Sequence, residues 1–123
     1  MTHILKDSGK RQEFTTGAVR DLGEGKGRYD LISPLALKRL ALVHEKGAIK
    51  YGDHNWEKGI PIKRCLESGI RHAYQYLEGL RDEDHLAQAM WNFAAAIHIE
   101  EMIKRGRLPG ELDDLPDYLP KQE

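Results

Sequence analysis

Apolar residues recur at helical spacing in three segments of this chain, and polar or glycine-rich stretches separate them. In the first, Leu37, Leu40, Ala41, His44, Ala48 and Tyr51 form one stripe, while Leu35, Leu42 and Ile49 make a second line on the other side. Ser33 followed by Pro34 reads as an N-cap and a first helical residue, so a helix is expected from Pro34 to about Tyr51. Two apolar lines on one helix call for two neighbours, in a bundle or a dimer. The stretch GDHNWEKG, Gly52 to Gly59, has turn composition and predicts a loop. Ile62, Leu66, Ile70, Ala73, Leu77 and Leu80 then mark a second helix, from Pro61 to about Gly79. A tight turn around Arg81 leads to a third, from about Glu83 to Arg105, with Asp82 as its N-cap and Gly106 as its stop.

The third helix breaks the ordinary pattern. It is apolar almost all round from Leu86 to Ile99, yet His85, Gln88 and Asn92 share one face at steps of three and four. Polar side chains on such a helix are costly to bury without partners, so this stripe marks where a ligand, a metal or a specific partner residue sits. Residues 1–32 show no helical or strand period and are expected to be an extended arm. Residues 107–123 hold three of the five prolines and predict an irregular tail, with Leu108, Leu112, Leu115, Tyr118 and Leu119 packing along the helices. The expectation is one domain over 1–123, with a helical core at 33–106. The strand signal is negligible and the fold class is all-α, a small bundle of three main helices completed by oligomerisation.

Composition narrows the function classes. The net charge of −1 provides no field for nucleic acid or acidic membranes. One cysteine, Cys65, excludes an internal disulfide and a Cys-type zinc cluster. No apolar run reaches about 18 residues, so no transmembrane helix is expected. The first residues, MTHILKDSGKRQEF, lack the apolar core of a signal peptide, which predicts a cytoplasmic protein.

An antiparallel hairpin of the second and third helices would set Glu78 near Asp84 and His85, and His72 near Asn92. Carboxylates, imidazoles and an amide in one groove suit a divalent ion completed by phosphate oxygens. Each candidate has a structural alternative. Glu83 and Asp84 also serve a helix N-terminus. Asn92 also fits a buried amide bonded to backbone. His72 and His44 also fit core histidines, and Arg71 also fits a solvated face with a Glu67 pair at i,i+4. Glu45 sits at a stripe edge, within reach of a groove. Two basic segments offer phosphate contacts: Lys26 and Arg28 between glycines, and Lys50 and Tyr51 beside the loop with Asn55 and Trp56. Their glycine spacing is not that of a P-loop.

The blocks GAVRDLGEGKGRYDLISPLAL, GAIKYGDHNWEKGIP, the Arg71-His72 pair and YLEGLRDEDHLAQAMWN occur in this order over roughly Gly17 to Glu101. As an ordered set they resemble the phage-associated dATP/dGTP diphosphohydrolase N-terminal domain family. The resemblance implies a small α-helical nucleotide pyrophosphohydrolase similar to the MazG-like group, converting a (deoxy)nucleoside triphosphate and water to monophosphate and pyrophosphate. It implies Mg²⁺ or Mn²⁺ held by acids, and a dimer or tetramer, in the host cytoplasm if phage-encoded. The chain departs from the general MazG-like pattern in lacking EExxE on the second helix and in having His85xxGln88 where ExxD is sought. On this reading Glu45, Glu78 and Asp84 hold the ion, and His72, His85 and Asn92 act in catalysis. Lys26, Arg28, Lys50, Tyr51, Asn55, Trp56 and Arg71 bind the nucleotide. The alternatives are a non-catalytic nucleotide-binding protein and a structural or interaction protein of phage origin.

Overall fold

The computed structural model describes residues 5–120; the first four residues of the arm and the last three of the tail lie outside them. The chain divides into two compact units, Met1–Ile32 and Ser33–Glu123. The first unit is not featureless. Strand β1 (Arg11–Glu13) pairs antiparallel with β2 (Val19–Asp21), with Arg11 opposite Asp21 and Glu13 opposite Val19. Phe14 N–H donates to Ala18 O across the turn (2.9 Å). Periodicity gave no sign of this hairpin because each strand has three residues and neither buries a face. Polar contacts hold it: the Asp21 carboxylate accepts from Ser8 and from Lys26 Nζ (3.1 Å). Those bonds, Ser8 first, hold the Asp21 carboxyl well below the usual carboxylate range.

The second unit contains α1 (Pro34–Tyr51), α2 (Ile62–Leu77) and α3 (His85–Lys104), so the described residues are predominantly helical, as the apolar pattern requires. Ala36 N–H donates to Ser33 Oγ (3.2 Å), the expected cap of α1. The α3 cap differs from expectation. Ala87 N–H donates to Asp84 Oδ1 (3.1 Å), so Asp84 and not Asp82 is the N-cap, and the helix starts two residues later than its acids suggest. The connection from α2 occupies residues 78–84 and is no tight turn. Both α2 and α3 end on a glycine of positive φ, Gly79 and Gly106. In each case the next residue donates back into the last turn, Leu80 N–H to Gln75 O and Arg107 N–H to Met102 O, which satisfies carbonyls the helix leaves open.

Helices α2 and α3 pack along their lengths, and alanines on α3 allow the close approach. The core is Ile62, Cys65, Ala95, Ala96 and Ile99, flanked by Trp56, Ile60, Leu66, Trp91 and Ile103. Full burial of Ile99 contributes about 2–3 kcal/mol. At Gly69 a Cβ would lie 2.6 Å from the Phe93 ring, so glycine there lets α3 approach α2. Helix α1 packs on α3 and buries no residue fully; its outer line, Leu35, Leu42 and Ile49, is exposed.

The tail docks only in part. Leu108 and Leu112 cover the core, and Asp114 Oδ1 accepts from Lys63 N–H (2.9 Å). Asp114 thereby satisfies an N-terminal amide of α2, for which Pro61 offers no side-chain cap. Leu115, Tyr118 and Leu119 are exposed, contrary to the expectation that they pack along the helices. Among the described residues no helix is long and apolar enough to cross a membrane.

Candidate functional site

Three polar side chains of the described residues are buried: His72, His85 and Asn92. The polar stripe on α3 is therefore real, and each member has found something. Gln88 Nε2 donates to Glu83 Oε1 (3.1 Å) and Asn92 Nδ2 donates to the Gln88 carbonyl one turn back (2.9 Å). The predicted facing pairs are different. His72 does not meet Asn92; its Nδ1 lies 2.9 Å from Nδ1 of His85. Because α3 starts at His85, its first imidazole lies over the last two turns of α2, where His72 stands.

This contact orders the protons. One Nδ1 must donate and the other accept, and His85 Nε2 lies 2.7 Å from Asp82 Oδ1. With neutral imidazoles, His85 Nε2–H donates to Asp82 and His72 Nδ1–H donates to His85 Nδ1. Burial, with the Arg71 charge behind it, pushes the His72 pKa down. The hydrogen bond from His85 draws the Asp82 carboxyl below its ordinary value.

Around His85 a cavity of about 440 Å³ opens between the helices, lined by Arg39, Lys46, Tyr76, Arg81, Asp82, Glu83, Asp84 and His85. Asp82, Glu83 and His85 bring one ligand atom each to within 4.8 Å of one another. Two carboxylate oxygens on one imidazole nitrogen form a donor set that fits a divalent cation. Asp84 is engaged elsewhere: it caps α3 and accepts from Arg39 Nε of α1 (2.8 Å), and that pair lowers its pKa. Glu78 is the exposed C-cap of α2 and Glu45 is exposed on α1; neither lines this cavity.

A second cavity, about 680 Å³, opens among α1, the loop that follows it, α2 and α3, and shares no lining residue with the first. Asn92 lines it, seven residues from His85 and so about 10 Å along the same face of α3. Its walls are aromatic. Trp56 meets His98, Trp91 and His44 edge-on or tilted, with centroids 4.8, 6.0 and 5.8 Å apart. Tyr51, Asn55 and Trp56 all line this cleft, with Asp53, Arg64 and Ser68. Lys50 Nζ stands 5.2 Å above the Tyr51 ring. The loop that carries Asn55 and Trp56 is a short 3-10 turn, Asn55–Lys58, entered through His54 in a left-handed conformation and left through Gly59 at φ 115°.

Several expected phosphate contacts are committed elsewhere. Arg71 Nε donates to Glu67 (3.1 Å), the solvated i,i+4 pair, and lines neither cavity. Lys26 is paired with Asp21, and Arg28 with Asp30 (2.7 Å), all within the first unit. Sequence reasoning passed over Arg39, Lys46, Trp91 and His98, and read Asp82 and His44 as cap and core. The usable signal was that His44, Ala48 and Tyr51 share a stripe, as do Trp91 and His98.

With this geometry in view, comparison with known proteins decides the family. The family model described as dATP/dGTP diphosphohydrolase, N-terminal, matches residues 16–107. The chain belongs to that family. Its matched span takes in α1, α2 and α3, hence both cavities. No curated protein and no solved structure matches the chain.

Proposed function

We propose that the protein hydrolyses a (deoxy)nucleoside triphosphate of the dATP/dGTP kind to monophosphate and pyrophosphate, with a divalent ion. The family description supports the substrate class. The observation that carries the reading is the pair of cavities, two turns apart along α3: a ring-lined cleft beside Asn92 and a charged cavity around His85. A base and a polyphosphate require that division.

Asp82, Glu83 and His85 would hold the ion. When bound, it neutralises phosphate charge and makes water a better nucleophile at neutral pH. A mixed oxygen and nitrogen set favours Mn²⁺ over Mg²⁺, which prefers oxygen alone. To ligate, His85 Nε2 must give up its proton; the imidazole then takes its other tautomer, and Nδ1–H donates to His72 Nδ1, which keeps Nε2 aimed at the acids. Asp84 and Arg39 tie α3 to α1 and fix the cavity's width. Lys46 and Arg81 line it as cations for the phosphates; Arg81 lies 3.8 Å over the Tyr76 ring, which limits its swing. In the ring-lined cleft Tyr51, Asn55 and Trp56 contact the nucleoside, with Lys50 over the Tyr51 ring.

Nucleotide binding without turnover is the second reading, and the engagement of Asp84 and Arg71 in ion pairs favours it. Incubating the protein with each dNTP and Mn²⁺ or Mg²⁺ separates the two. Monophosphate and pyrophosphate in equal amounts are expected. Thermal stabilisation by nucleotide with no product would establish the second reading instead.

A further inference from the structure

The aromatic cleft holds two polar atoms that the fold itself leaves unused. Asn92 is 8% exposed, on a helix whose neighbouring positions are mostly apolar. Its amide nitrogen donates one of its two hydrogens to the Gln88 carbonyl, while Oδ1 has no partner among the described residues. Oδ1 is not sealed in the core either, since the buried side-chain polar atom lacking a partner there is Gln75 Oε1. Oδ1 therefore stays open to the cleft, where a ligand's donor can replace water.

The second atom is fixed by a tryptophan. Trp91 Nε1 donates to His44 Nδ1 (3.3 Å). Indole nitrogen is a donor only, so His44 Nδ1 carries no proton and Nε2 does. That Nε2–H makes no hydrogen bond among the described residues and is not sealed from solvent. His44 lines the cleft from α1 and Asn92 from α3, and the His44 ring packs against both Trp56 and Trp91.

We propose that His44 and Asn92 read the edge of a planar heteroaromatic base in this cleft, His44 Nε2–H donating to a ring acceptor and Asn92 Oδ1 accepting from a neighbouring donor. The inference rests on the nucleotide reading above and extends it to the residues that distinguish base substituents. In adenine the matching pair is the exocyclic amine beside a ring nitrogen. Both groups sit on helices and are held by bonds formed before any ligand arrives, so little ordering cost falls on binding.

The test measures affinity for dAMP and for the same nucleotide whose purine lacks the amine. Wild type should prefer dAMP by about tenfold, the discrimination expected of one hydrogen bond in a two-bond edge contact. Asn92→Leu should bring that ratio near one, while Asn92→Asp, which keeps an acceptor, should retain it. His44→Phe keeps the ring and should weaken both nucleotides alike. Because the ratio is internal to each protein, partial misfolding of a variant does not alter it. A wild-type ratio near one, or a ratio unchanged in Asn92→Leu, overturns the proposal. If either occurs while wild type still turns over dATP, the hydrolase reading stands alone. If wild type neither binds nor hydrolyses nucleotide, both fail.

Discussion

The aromatic and the charged cavity, one at each end of the pair, are built by opposite means. The aromatic end is made of shape: Trp56, Trp91, His44 and His98 hold one another at ring distances of 4.8 to 6.0 Å and rest on the apolar core. The charged end is made of exposed groups around one buried imidazole. Asp82 is 67% exposed and Arg39 half exposed, while His85 is sealed between Asp82 and His72. Rings pack without a ligand, because burying their surface already stabilises the fold. Its carboxylates stand largely exposed beside Arg39, Lys46 and Arg81, so that end adds little to the fold and is completed by what it binds. The aromatic end should therefore show itself in stability and KM, and the charged end in turnover and metal affinity.

Mutations at each end sharpen that contrast. His85→Ala removes the buried imidazole that both orients Asp82 and would hold the ion; turnover of dNTP is expected to fall by about 10²-fold or more in steady-state assays. Trp91→Ala opens a cavity and releases His44, at a cost of about 3 kcal/mol in denaturant unfolding, and raises KM. Asp84→Ala loses the α3 cap and the Arg39 pair for about 1–2 kcal/mol. It leaves Mn²⁺ affinity unchanged, whereas Asp82→Asn weakens Mn²⁺ by about tenfold or more in calorimetry. The smallest effect is on pH dependence. Burial lowers the folded pKa of His72, so the unfolded chain binds more protons below its ordinary pKa of 6.5. Stability should fall as pH drops from near 6.5 toward the lower folded value, and His72→Asn should flatten that part of a thermal-melt series.

Much of this was legible in the residues and the rest has identifiable causes. Helix α1 matches its expected bounds because Ser33-Pro34 and Gly52 mark both ends with backbone chemistry. The start of α3 was misplaced because Asp82 and Asp84 both suit an N-cap; Asp84 takes the role and also accepts from Arg39, forty-five residues away. The polar stripe was visible from spacing, and His85 and Asn92 are indeed buried. Their partners were not visible, since the hairpin register depends on how many residues the connection consumes. Tyr51, Asn55 and Trp56 were legible as a group, but His44 and Trp91 were not joined to them, because the cleft gathers residues from α1, a 3-10 turn, α2 and α3. Periodicity along one helix does not report such an assembly.

Steady-state kinetics of dATP hydrolysis with Mn²⁺, for wild type, Asp82→Asn and Trp56→Leu side by side, tests the division of labour most directly. Wild type should release monophosphate and pyrophosphate, Asp82→Asn should lose kcat with little change in KM, and Trp56→Leu should raise KM with kcat nearly kept. Equal loss of the same parameter in both variants, or pyrophosphate release by wild type without any divalent ion, would contradict it.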